Sequence, residues 1–581
     1  MLCLMAFLQC TSMRGEVQTI DEGAHLAAGM SYWQTRDFRL NEEHPPLIKL
    51  LAGAAALTAR PTLPFDNASW KEGNQWAFAQ DLLYHSGNNA DDLLFRGRVP
   101  MVALSLLLGW VIYLWARRFG GDIAGLLALG WYIFDPNFLA HGRYITTDVP
   151  VALGFAATLY LLTRYISKAT WKYGVAFGAV FALTQATKFS AIILWPIIFF
   201  TPLLWMLWSP GTRGQWRLAW QRTYRTLGWA IAGMVVIIPL VYLGQFQKGS
   251  QDSWITWAME ERDRVVSSEA MTTQPPAVQR LITLSDPSTS TGKVVRNILL
   301  NTPIPAWSYG KGLALVINHD FWGHLSYLNG MYGNKGWVQY FPITFLVKTP
   351  FATLIVFALA IVAGLVAARK KLLQLPPAFW VLSGSAILYF AWSLTSHINL
   401  GQRHIFPVYP AVFVTIGLFL AAVVQQHRRW LTWLFASITG LYLLTSLLTY
   451  PAYTSYFSEV IGGTANGPRY LVDSNIDWGQ DVKRLQTYME EKQIPFVCMS
   501  YFGQANLVYY GLDFRYLPTK ADRHDPAAVN CAVAISVTSL LAQDGDYWWL
   551  RQYEPDARIG GSLYVYDFRN GRSPQLAANP L

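Results

Sequence analysis

Apolar runs recur along most of the chain, near 99–115, 120–140, 149–166, 172–187, 189–208, 227–246, 342–367, 378–396, 406–424 and 430–448. Each approaches the ~20 residues that a helix needs to cross ~30 Å of hydrocarbon. Within a bilayer only helices and closed barrels satisfy every backbone polar group. The runs therefore predict an α-helical polytopic membrane protein. Met1–Cys10 is apolar but carries neither a basic leader nor a small-residue cleavage site. It reads as the stub of a first helix continuing through Met13, for about eleven transmembrane helices in all. Composition agrees: 53% of residues are hydrophobic and 14% charged, against about a quarter charged in soluble domains.

The net charge is +10, but the basic residues form no single patch of the kind that binds nucleic acid. They cluster in short loops: Arg117-Arg118; Arg164, Lys168 and Lys172; Arg213, Arg217, Arg222 and Arg225; Arg369-Lys370-Lys371; and Arg428-Arg429. Such loops stay cytoplasmic. A multi-pass protein of the plasma (inner) membrane follows, with 13–98, 142–150, 247–341, 395–407 and everything after Tyr450 outside. Residues 1–449 form the transmembrane domain, with large external loops at 13–98 and 247–341. Beyond it hydrophobicity falls, and 450–581 predicts a small extracytoplasmic α/β domain. That domain has a helix from Asp477 to Lys492 and strands within 496–501, 531–537 and 562–566. Four cysteines show no zinc spacing; Cys498 and Cys531 could pair if their region is extracytoplasmic.

The densest chemistry lies in Ile20–Leu50, IDEGAHLAAGMSYWQTRDFRLNEEHPPLIKL. Asp21 and Glu22 stand where an apolar run ends, and a carboxylate at a membrane surface is a functional candidate. Glu43-His44-Pro45-Pro46 must be extended or turned, and Leu47–Leu57 resumes as a helix. Asp148, Lys188, Lys335 and Arg403-His404 occupy the other outside loops. Trp33 and Trp337 read as interfacial belt residues. His319, Asp320 and His324 match no strong metal template, so no metal site is assigned and a divalent metal stays open. No cofactor is implied.

Asp21-Glu22 followed by His44-Pro45-Pro46-Leu47-x-Lys49 resembles the first external loop of protein O-mannosyltransferases. More broadly it is similar to GT-C glycosyltransferases that use polyprenyl-phosphate sugars, which include the lipid A aminoarabinose transferases. TTDVP (146–150), KGWVQYFP with KTP (335–350), LGQRHIFPVYP (400–410) and YLVDSNIDWGQD (470–481) look like blocks of a bacterial branch. The resemblance implies a GT-C architecture and inverting transfer of a sugar from a polyprenyl-phosphate donor to an extracytoplasmic acceptor: a protein hydroxyl, lipid A or a glycan. Such chemistry needs a carboxylate at the acceptor hydroxyl and cations around the departing phosphate. By resemblance Asp21 is the catalytic base or acceptor-orienting group, with Glu22 and Asp148 as further catalytic candidates. His44, Lys49, Lys188, Lys335, Arg403 and His404 are the substrate-binding candidates. Arg403 leads them because its fork can hold phosphate oxygens bidentately. The partners implied are the lipid donor, the bilayer and the acceptor. Two other readings stay open. A secondary transporter would place charges at the midplane, often in repeated halves; the other is a non-catalytic envelope protein for glycan binding or assembly.

Overall fold

The computed structural model describes residues 1–208, 214–252, 284, 286, 288–370, 375–519 and 529–579. Arg213, Lys371 and much of the expected 247–341 loop lie outside them. The apolar runs are helical. In chain order the helices that matter are α1 (Leu2–Ser12), α2 (Ile20–Thr35), α3 (Leu47–Leu57), α4 (Ala90–Ile133), α5 (Asp148–Lys168) and α6 (Trp171–Gln185). They continue with α7 (Leu194–Trp208), α8 (Trp216–Val241), α9 (Trp307–Trp322), α10 (Tyr340–Lys348), α11 (Phe351–Arg369), α12 (Pro377–Ser393), α13 (Tyr409–Gln425), α14 (Arg429–Thr449) and α15 (Val482–Glu491). Among the described residues, seven helical segments are long and apolar enough to cross a membrane. One of them, α4, is two antiparallel arms. Gly121 leaves the helical region (φ 76°, ψ −173°), and the Tyr132 hydroxyl returns to donate to the Ser105 carbonyl at 2.8 Å. In a straight helix those residues would lie about 40 Å apart.

The basic loops gather at one end. Arg118 donates to Thr163 Oγ1 (2.7 Å) and Arg222 to the Ile166 carbonyl (2.6 Å), both near the C-terminus of α5. Asp148 starts that helix and Lys168 ends it, 21 residues on. At 1.5 Å per residue the two lie about 30 Å apart, one hydrocarbon thickness. The carboxylate candidates therefore sit at the opposite end from the arginines.

The C-terminal strands form one mixed sheet. They are β1 (Val497–Ser500), β2 (Phe514–Tyr516), β3 (Ala532–Ser536), β4 (Ala557–Ile559) and β5 (Leu563–Asp567), in the order β2-β1-β3-β5-β4. The first three are parallel and the last two antiparallel to their neighbours. Cys498 and Cys531 are disulfide-bonded across β1 and the start of β3. The expected helix begins at Val482 rather than Asp477. Residues 477–481 instead thread under the bundle, where the Val17 and Ile20 amides donate to the Gln480 and Trp478 carbonyls, each at 3.1 Å. A buried ionic chain adds a second seam: Arg143 to Glu16 at 2.7 Å, Arg484 to Glu16 at 3.2 Å, Arg484 to Asp481, and Ser562 to Asp481 at 2.6 Å. Sheet and bundle thus share one interior.

Candidate active site

Helices α2 and α3 cross in close contact because both are glycine at the crossing. A Cβ on Gly29 would collide with the Lys49 carbonyl, and one on Gly53 with the Gly29 backbone. The crossing fixes the first turn of α2, where Asp21 and Glu22 lie. The His25 imidazole then donates to the Ile145 carbonyl at 2.6 Å, docking α2 onto the loop that precedes Asp148.

Four charged groups from four distant segments meet there. Arg403 Nη1 donates to Asp21 Oδ2 at 2.9 Å and lies 3.5 Å from Asp148 Oδ2. Lys188 Nζ is 2.5 Å from Asp148 Oδ1. The Arg403 guanidinium lies over Trp478, 4.3 Å from the ring centroid, and among the described residues its buried Nε has no hydrogen-bond partner. Asp21 is the most exposed member, with its side chain 23% accessible. Asp148 is not a cap: Thr147 holds the N-cap position, and both Asp148 oxygens face cations. His44 stacks edge-on against His25 with centroids 5.2 Å apart. Burial holds the His44 imidazole well below its ordinary pKa, so it is neutral at pH 7. His404 feels the same charges, those of Lys188, Arg403 and Asp148.

Asp21, Asp148, Lys188, Arg403, His404 and His44 therefore come together, and three other candidates do not. Glu22 is turned inward: Arg98 clamps it bidentately (2.8 and 2.6 Å), and the Thr19 and Ile145 amides complete its shell. Lys49 is buried in a socket of its own loop, donating to the Tyr32 hydroxyl (3.0 Å) and to the Asn41 and His44 carbonyls (2.5 and 2.7 Å). Its donors are taken by Tyr32 of α2 and by the turn before Pro45-Pro46, so none is left for a phosphate. Lys335 donates to the Phe321 carbonyl at 2.6 Å, over the rings of Phe321 and Trp322. It belongs to the surface of the 318–337 loop. Asp320 anchors that loop to Ser396 and His397. Among the described residues no group of three or more His, Cys, Asp or Glu side chains could hold a metal ion.

Sequence reasoning missed Asp473 and Trp478. Asp473 lies close enough to Arg403 and Asp21 to feel both charges. Its turn is tied to the Arg403 segment, with the Gln402 amide donating to Asn475 Oδ1 at 3.1 Å. Both residues lie in DSNIDWGQD, a run with three acids in nine residues. That density was the available signal.

Residues 90–242 match the family described as dolichyl-phosphate-mannose-protein mannosyltransferase. The Saccharomyces cerevisiae protein O-mannosyltransferase Pmt1–Pmt2 complex bound to the sugar donor superposes with a TM-score of 0.50 at 12% identity, covering 78% of this chain and 88% of that one. The fold is that of the GT-C glycosyltransferases. ArnT from Cupriavidus metallidurans bound to undecaprenyl phosphate is similar at a TM-score of 0.44 and 13% identity, over 97% and 96% of the two chains. The Archaeoglobus fulgidus oligosaccharyltransferase AglB, in complex with an inhibitory peptide and a dolichol-phosphate, gives 0.44 and 11%, over 97% and 74%. Among curated protein sequences none matches. The family resemblance read from Asp21, His44 and their motifs thus extends to residues 90–242 and to the fold.

Proposed function

We propose that the chain is an integral-membrane glycosyltransferase that moves a sugar from a polyprenyl phosphate to an acceptor hydroxyl, with inversion, on the extracytoplasmic side. The observation that carries this reading is the Asp21–Arg403–Asp148–Lys188 cluster, set at helix ends opposite the basic loops. The acceptor oxygen attacks the anomeric carbon and its proton passes to Asp21. The bond from that carbon to the phosphate oxygen breaks, and its electron pair leaves on the polyprenyl phosphate. Two cations already face two carboxylates, so an arriving phosphate must exchange with one of them at Arg403. The free Nε gives the guanidinium a donor for that exchange, which releases Asp21 to act as base. Lys188 holds the second phosphate face, and neutral His44 and His404 supply hydrogen bonds rather than charge. An outside location is supported by the basic loops at the far end and by the Cys498–Cys531 disulfide, since such bonds persist in oxidising compartments.

Arg403 tests the donor clamp. Purified protein in nanodiscs is titrated with a polyprenyl-phosphate hexose, and both binding and release of the lipid phosphate are followed. Arg403→Lys keeps the charge but loses the planar fork, so donor affinity should fall about tenfold or more, as loss of a charged hydrogen bond implies. Unchanged binding and turnover in Arg403→Ala would move the clamp to Lys188.

A further inference from the structure

Between the bundle and the C-terminal sheet lies a cavity of about 300 Å³. It begins close to the carboxylate cluster: Leu400, three residues before Arg403, and Asp473 both line it, and Asp473 feels the charges of Arg403 and Asp21. Asp473 is fixed with unusual care. Its backbone is left-handed (φ 58°), its amide donates to Thr538 Oγ1 of the sheet domain at 3.2 Å, and its Oδ1 accepts from the Ser474 amide at 2.5 Å. Ser474 in turn donates to the Leu400 carbonyl, on the segment that carries Arg403. Non-glycine residues held in this region often mark functional turns. Asp473 Oδ2 has no hydrogen-bond partner among the described residues.

The cavity wall is aromatic and polar together. Tyr327 and Tyr332 contribute rings whose hydroxyls are already committed, to the Pro468 carbonyl (2.9 Å) and the Leu541 carbonyl (2.6 Å). The rings are therefore rigid and offer the cavity apolar surface. Thr538 and Ser539 add hydroxyls. Flat apolar surface beside a carboxylate suits a pyranose, whose C–H face is apolar and whose paired hydroxyls can both donate to one carboxylate. The volume lies at the lower end of the ~300–1,000 Å³ usual for small-molecule sites, room for a ring rather than for a length of peptide. We propose that this cavity is the acceptor subsite, that it takes a sugar ring, and that Asp473 positions the ring hydroxyls beside Asp21. The word acceptor rests on the glycosyltransferase reading; the binding of a sugar does not.

The test uses the full chain in nanodiscs without donor, probed with methyl hexopyranosides and, separately, with a short serine-containing peptide. Saturation-transfer NMR and thermal shift report binding. Hexoside binding is expected in the wild type, at least about tenfold weaker in Asp473→Asn through loss of a charged hydrogen-bond acceptor. It should be abolished in Ser539→Trp, which fills the cavity, and unchanged in Lys335→Ala. No hexoside binding, or binding indifferent to both cavity variants, overturns the proposal. So does peptide binding that the same two variants remove. Hexoside binding as described in a protein that never consumes a polyprenyl-phosphate sugar would instead overturn the function proposed above and leave the cavity assignment standing.

Discussion

Asp21 and Glu22, adjacent on the first turn of α2, point about 100° apart around the helix axis and meet opposite surroundings. Glu22 is fully buried, with four donors on its two oxygens. Asp21 is part-exposed, bound at 2.9 Å to an arginine that has a donor to spare. A buried pair cannot exchange partners without stranding a charge, whereas a part-wet pair can trade one anion for another. The first arrangement suits a lock and the second a site. Lys49 and Arg403 repeat the contrast among the cations: the lysine is saturated by its own loop, the arginine is not.

The sharpest way to break this comparison is Asp21→Asn, which keeps the shape and removes the proton acceptor. Sugar transfer should fall by about two to four orders of magnitude, with unfolding and donor binding little changed. Near-normal turnover would end the catalytic-base assignment. Glu22→Gln should do the reverse. It strands Arg98 and should lower stability by about 3–5 kcal/mol, read by denaturant unfolding in nanodiscs, while the protein that stays folded keeps its turnover. If Glu22→Gln were as stable as the parent and inactive, the two neighbours would have to exchange roles.

Asp477 sharpens the comparison with the smallest effect. It is as buried as Glu22 but among the described residues meets neutral donors and no cation: the Thr538 amide at 3.1 Å, the Gly479 amide at 3.4 Å and the Ser536 hydroxyl at 3.5 Å. Burial therefore pushes its carboxyl up to about 7. A folded-state value raised above the ordinary one means that the protonated form favours folding. The stabilisation is complete below the usual carboxylate range and is lost as the pH climbs through about 7. Thermal stability should decline by at most about 1.4 kcal/mol between pH 6 and 7 from this group. Asp477→Asn should flatten that slope; an unchanged slope would place the titrating group elsewhere.

The sequence by itself determined the class of the molecule and the end at which its chemistry gathers. Apolar runs of membrane length, a break at Arg117-Arg118 between the runs 99–115 and 120–140, basic loops along one end and apolar strands after Tyr450 all follow from local hydrophobicity and charge, which a linear reading captures. Only the tertiary structure decided which charges work together. Arg98 reaches Glu22 across 76 residues and Arg403 reaches Asp21 across 382. Asp473 enters the site because its turn is stapled to the segment that carries Arg403. Lys49 leaves it because the Asn41 and His44 carbonyls close around the ammonium. Charge alone does not separate these cases. What a charged side chain does depends on how dry its surroundings are and on how many of its hydrogen bonds are already made, and packing sets both.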